Sequence, residues 1–218
     1  MNGARFITLE GVEGAGKSTV ARALQAALQQ RGIEVLLTRE PGGTPVAEAL
    51  RELLLRRGSE HINAAAETLL MFAARAVHVD NSIRPALAAG KWVICDRFTD
   101  ATYAYQGAAR GVDPALIDRL ADAVHGDLWP ARTLLLDLPV PVGLQRARAR
   151  AAADRFEAQH QDFFERVRCA YLARAAADPA RIRVIDARPA EAEVSASALA
   201  AIADLLPAGP RPGGGVST

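Results

Sequence analysis

The chain has 218 residues, half of them hydrophobic and 23% charged, the ordinary mixture of a globular protein large enough to bury a core. Its formal charge of +1 offers no net field to a polyanion, which argues against tight nonspecific nucleic-acid binding, and no apolar run approaches the ~18 residues of a membrane span. Met1 to Thr8 shows neither a basic-then-apolar export signal nor an Arg/Ser-rich transit pattern, so the expected location is cytoplasmic, without a membrane partner.

In chain order, short apolar runs at residues 5–10, 33–38, 92–95, 133–137 and 182–186 predict five strands. Four of them are nearly continuous in apolar residues, as strands covered on both faces are. Helix-period segments fill the gaps, at about 17–31, 45–57, 64–89, 114–125, 141–150, 157–177 and 190–205. Pro45 and the pair Asp113–Pro114 mark helix starts; Gly32 and Gly58 mark stops. The alternation predicts an α/β protein: a five-stranded parallel sheet flanked by helices, one domain over residues 1–206. Residues 207–218, rich in Pro and Gly with little to bury, predict a disordered tail. Cys95 and Cys169 are expected as two buried free thiols, and the four histidines, without ligand spacing, as surface or packing residues.

Directly after the first predicted strand, Gly11-Val12-Glu13-Gly14-Ala15-Gly16-Lys17-Ser18-Thr19 carries the pattern G-x-x-x-x-G-K-[ST] at the mouth of a helix. The chemistry explains the spacing. The glycines let backbone N–H groups curl around a β-phosphate, the helix N-terminus adds a favourable dipole, the Lys17 ammonium reaches the β and γ oxygens, and the Ser18 hydroxyl is placed to ligate Mg²⁺. This context predicts a P-loop NTPase fold binding a nucleoside triphosphate. Among the 26 basic residues only Lys17 and Lys91 are lysines, and one of them falls in this loop.

A P-loop gives a nucleotide, not a reaction. Both lysines follow glycine and no Asp has Gly three residues on, so the N-K-x-D and D-x-x-G marks of guanine-specific switches are missing. Just past the second strand, Thr38-Arg39-Glu40-Pro41-Gly42-Gly43-Thr44 puts a guanidinium at the carboxyl edge of the sheet. Just past the third, Asp96 offers a carboxylate to Mg²⁺ or its waters beside Arg97, a residue suited to bidentate phosphate binding. Two strand-end arginines besides a complete P-loop point to a second phosphate, hence a kinase acting on a phosphorylated acceptor. A P-loop ATPase or conformational switch is the alternative from another class.

These clusters, together with Met71-Phe72-Ala73-Ala74-Arg75, Asp96-Arg97-Phe98 and Ala104-Tyr105-Gln106-Gly107, resemble the bacterial thymidylate kinases, collinearly from about residue 5 to 186. The resemblance implies phosphoryl transfer from ATP to dTMP in dTTP synthesis, with Mg²⁺ as cofactor and a homodimer, its interface drawn from residues 64–89 and 116–124. It implies that Arg39 and Arg97 hold the acceptor 5′-phosphate, Glu13 approaches the sugar 3′-hydroxyl and Asp96 organises the metal. Arg75 would read the thymine edge, Thr102 and Gln106 would add base contacts, and Tyr105 would lie against C2′. The family places its thymine-stacking Phe four residues before the base-reading Arg. Here that position is Met71, and Phe72, three before, is the expected stacking residue with Met71 the alternative. The Arg-rich stretch at about 146–156 resembles the lid, with Arg155, then Arg148 and Arg150, as the cap on the transferred group. Another monophosphate kinase remains the nearest alternative reading.

An acceptor phosphate with a second pKa of about 6 is already mostly dianionic near neutrality, so no general base is nominated. Catalysis is expected to consist of aligning two repelling anions and neutralising charge, the work of Lys17, Arg97, Mg²⁺ and a lid arginine.

Overall fold

The computed structural model describes residues 3–56, 61–149 and 159–207. Five strands, β1 (Phe6–Glu10), β2 (Val35–Arg39), β3 (Trp92–Asp96), β4 (Arg132–Asp137) and β5 (Ile182–Asp186), form one sheet in the order β2-β3-β1-β4-β5, and every pairing is parallel. β1 lies in the middle: the chain runs from it to β2 and back to β3 on one side, then crosses to β4 and β5 on the other. Open parallel sheets bind ligands at such a switch point, outside the carboxyl ends of the strands. Register sets those ends level: Leu9 and Arg39 both pair with Asp96, and Asp137 pairs with Asp186.

The central strands β1, β3 and β4 are buried on both faces, whereas the edge strands β2 and β5 are partly exposed. Ile7, Leu9, Ile94 and Leu134 face the helices α1 (Lys17–Gln29), α8 (Gln161–Ala177) and α9 (Glu191–Ala200); Phe6, Val93 and Cys95 face Val79, Ile83 and Phe98. Each such side chain, taken fully out of water, contributes roughly 1.5–3 kcal/mol.

Local signals start the helices where the sequence predicts. Thr44 caps α2 (Pro45–Leu55) by accepting from the Ala47 N–H, Asn63 caps α3 (Ala64–His78) from Ala66, and Asp113 caps α6 (Pro114–Val124) from Ala115. The predicted helix 64–89 is interrupted: after α3 a π-turn, Val79–Ile83, leads into α4 (Arg84–Ala88). Pro85 lacks an N–H and its ring crowds the carbonyl four residues back, so the backbone widens there. α7 (Val140–Arg148) agrees with its prediction.

One helical segment was not predicted. Thr99–Thr102 forms α5, which runs into a π-turn over Tyr103–Ala108. Its threonines, tyrosines and glycine are poor helix formers, so tertiary contacts hold it. Cys95 is buried as expected, whereas Cys169 is exposed on α8, correcting the expectation of two buried thiols. His78 and His125 are packing residues, each hydrogen-bonded to a threonine. Arg150, Arg155 and residues 208–218, to which lid and tail expectations attach, lie outside the described residues.

Candidate active site

The loop after β1 turns through left-handed backbone at Gly14 (φ 76°) and Gly16 (φ 91°), conformations that exclude most side chains. Gly14 also packs against Gly143 at the foot of α7, where a Cβ would strike the Gly143 carbonyl. The loop and the segment leading to the Arg-rich stretch are thereby in backbone contact. Lys17 is buried, with its ammonium donating to the carbonyls of Gly11 (2.9 Å) and Val12 (3.0 Å). Burial first, and then the nearby Arg97 cation, pull its pKa down to about 8.

Beside it the Ser18 hydroxyl donates to Asp96 Oδ2 at 3.2 Å. A hydroxyl and a carboxylate from the loop and a strand end are hard oxygen donors of the kind Mg²⁺ takes, so these two residues fit the cation. Arg39 sits on this side too: it lines a cleft with Ser18, Arg22, Thr38 and Asp96, and its half-exposed guanidinium pairs with Glu48 at 2.8 Å.

A second cavity opens from the loop towards α3 and α5. Glu13, Arg75, Arg97, Thr102, Tyr105 and Gln106, all predicted site residues, line it together. Arg39 does not. Met71 is in the wall, whereas Phe72 is 2% exposed and packs behind it against Val112, Ile117 and Ala121, with the Arg75 guanidinium 4.7 Å above its ring. Glu40, Pro41, Arg51, Leu55, Phe98 and Ala101 complete the wall and were not predicted as site residues; Arg51 is placed there by donating to the Pro41 carbonyl at 3.0 Å.

Two buried charge networks set this cavity. Arg97 has φ 74°, unusual for a residue with a Cβ, and three groups hold it: Glu13 Oε1 (2.8 Å), the Tyr171 hydroxyl (3.2 Å), and the Tyr105 ring beneath its guanidinium at 4.8 Å. The Tyr105 hydroxyl donates to the other Glu13 oxygen at 2.6 Å. Behind them Glu10, fully buried, accepts from the Phe98 N–H and from the Tyr171 hydroxyl. Burial raises its pKa to about 7 against the pull of Arg97.

Arg75 anchors the second network, donating from Nε to Glu40 Oε2 (2.7 Å) and from Nη2 to Thr102 (3.2 Å), while His78 meets the other Glu40 oxygen at 3.0 Å. For Glu40, burial alone would raise the pKa, but the Arg75 cation and the His78 hydrogen bond outweigh it and hold the group ionised. Arg75 Nη1 is buried without a hydrogen-bond partner, a donor left for something in the cavity.

Glu10 and Tyr171 were not anticipated: one reads as the last strand residue and the other as a helix aromatic. A signal for Glu10 was present, an acidic residue closing a mostly apolar buried strand.

The model of the thymidylate kinase family matches residues 9–198. The thymidylate kinase of Pseudomonas savastanoi pv. phaseolicola is 58% identical over 192 residues, covering 88% of this chain and 91% of that protein. That of Pseudomonas syringae pv. tomato is 56% identical over 201 residues, 92% and 96% of the two chains. The crystal structure of thymidylate kinase from Ehrlichia chaffeensis superposes with a TM-score of 0.72 at 34% identity, covering 89% of this chain and 96% of that one. With Glu13 shared by the P-loop and a charged cavity, and matches of this extent along nearly the whole length, the chain belongs to the thymidylate kinase family.

Proposed function

We propose that the chain transfers the γ-phosphoryl group of ATP to the 5′-phosphate of dTMP, giving dTDP and ADP, with the P-loop holding the donor and the cavity beside it the acceptor. One observation carries the pairing of sites: Glu13 belongs to the P-loop and also lines the cavity, bonded there to Arg97. Donor and acceptor phosphates would thus meet across a single residue, which suits in-line transfer between two anions.

In this reading Arg97 receives the acceptor phosphate, its geometry preset by Glu13, Tyr105 and Tyr171, while Lys17 leaves the loop carbonyls for the donor's β and γ oxygens. Ser18 and Asp96 would hold Mg²⁺, which when bound neutralises charge on those same oxygens. Arg39, beside Ser18 and Asp96, serves the donor and metal side rather than the acceptor cavity. Arg75 offers its unpartnered Nη1 to the base, Thr102 and Gln106 flank it, Met71 forms the wall against the ring with Phe72 behind, and Tyr105 fills the space under the sugar. Arg148, within the Arg-rich stretch, ends α7, and Arg155 remains the proposed cap. No helix among the described residues is long and apolar enough to cross a membrane. Cytoplasmic location and a homodimer belong to the same proposal, with the exposed Val46, Leu53 and Leu69 of α2 and α3 as the apolar face a second copy would cover. Sedimentation as a monomer would remove the dimer.

The test is ADP formation from Mg-ATP with dTMP, dUMP, dCMP, dGMP or no acceptor, for wild type and Arg97→Ala. Turnover favouring dTMP and reduced about a thousandfold in the variant is the expected result, the scale of a positioned phosphate-binding arginine. Equal turnover without acceptor would identify an ATPase or switch instead.

A further inference from the structure

Gln106 lines the acceptor cavity and is 1% exposed. A carboxamide has a donating end and an accepting end of nearly equal shape, so it reads a base edge only if something fixes which end is presented. Glu67, fully buried on α3, is placed to do this. The Gln106 amide Nε2 donates to Glu67 Oε1 at 2.8 Å, and Arg110 Nε lies 2.8 Å from the same oxygen. A carboxylate paired with a guanidinium only accepts. Turning the amide round would set oxygen against oxygen in a site closed to water, so the amino end stays on Glu67 and the carbonyl end is left to the cavity.

Across the cavity Arg75 supplies donors, one of them the unpartnered Nη1. We infer that Glu67 is a specificity-positioning residue: by holding the Gln106 amide it makes the cavity present an acceptor beside the Arg75 donors. That pattern pairs with the N3–H and O4 of a thymine or uracil ring and opposes the N3 lone pair and N4 amine of cytosine. Neither Glu67 nor its partner Arg110 lines the cavity, so the discrimination acts entirely through Gln106. The inference rests on the acceptor being a pyrimidine nucleotide bound as proposed above.

Glu67→Gln replaces a partner that only accepts with one that also donates, which frees Gln106 to present either end. The measurement is kcat/KM with dTMP, dUMP and dCMP for wild type and variant. dUMP and dCMP differ only on the edge in question, and dTMP and dUMP only at the 5-methyl group. The dUMP-to-dCMP ratio is expected to fall about tenfold or more, the scale of one buried mispaired hydrogen bond, while the dTMP-to-dUMP ratio stays within about twofold. A rate loss shared equally by all acceptors is what a merely structural Glu67 would give, and it overturns the inference. Should Glu67→Gln fail to fold, Gln106→Leu removes the accepting end itself and carries the same expectation; an unchanged dUMP-to-dCMP ratio there overturns it too. A wild type inactive with every pyrimidine acceptor would overturn the underlying reading, and the same assay distinguishes that failure before any variant is made.

Discussion

The two halves of the proposed site are built differently. The donor half is nine consecutive residues, Gly11 to Thr19, in which backbone groups and one lysine do the work and glycine dihedrals fix the shape. The acceptor half is assembled from β1, the segments after β2 and β3, and the helices α2, α3, α5 and α8, and its working groups are buried side chains that hold one another. A backbone-built site fails at the few positions where a side chain does not fit or the lysine is lost. A network of buried charges fails in proportion to what each member leaves unpaired.

The largest effect expected within the donor half is at Lys17. Lys17→Met keeps the length and apolar stem but removes the charge, and kcat/KM for ATP should fall about a thousandfold, near the upper end for loss of one preorganised charged donor. Because Lys17 itself does not line the acceptor cavity, dTMP affinity measured by calorimetry should change less than about twofold, well below the scale of a lost charged hydrogen bond. An equally large loss of dTMP binding would break the comparison.

The same difference decides what could be read from sequence. The P-loop is legible because its pattern is local: the residues proposed to hold one phosphate are neighbours in the chain. The sheet was legible for a similar reason, each strand announcing itself by a short apolar run. The acceptor half depended on resemblance to a family, because its contacts are long-range; Tyr171 and Glu10 are 161 residues apart. Periodicity places Met71 and Phe72 about 100° apart on one helix and does not say which faces the cavity; the packing of Phe72 against Val112 and Ile117 does. Arg39 stands at a strand end as expected, and its side chain reaches Glu48 beside Ser18 and Asp96, a direction no spacing rule carries. Residues 99–108 were missed as a helix because their propensity is poor and their stability comes from neighbours such as α8.

Two glycines sharpen the backbone side. Gly16→Ala keeps an open surrounding, with no atom within 4 Å of the new Cβ, so its penalty is the left-handed strain alone, about 1–2 kcal/mol. Gly14→Ala carries the same strain and also drives its Cβ into the Gly143 backbone, adding about 1–3 kcal/mol of overpacking. At about 2–4 °C per kcal/mol for a chain of this size, Gly14→Ala should melt several degrees below Gly16→Ala by calorimetry. Equal melting points would mean that the loop and α7 are not in backbone contact.

The smallest effect expected is on the side-chain half, at Tyr171, and pH makes it measurable. Glu10 has a folded-state pKa of about 7 against an ordinary 4.5, raised chiefly by burial. A raised acid pKa means that the unfolded chain releases the proton more readily, so Glu10 imposes no penalty below about pH 4.5, a growing one up to about 7, and the full one above. Tyr171→Phe removes one of two donors to the carboxylate and leaves the Phe98 N–H. The folded-state pKa then moves further up while the unfolded value stays, so the added cost, about 1 kcal/mol, is fully present only above neutral pH. Urea unfolding of both proteins at about pH 5.5 and 8.5 reads it directly, with the larger stability difference at the higher pH. Arg97 loses one contact but keeps Glu13 and Tyr105, so KM for the acceptor should rise only a few-fold. A stability loss identical at both pH values would mean that Glu10 does not change charge between them, so that the Tyr171 hydroxyl is not supporting its ionisation near neutrality.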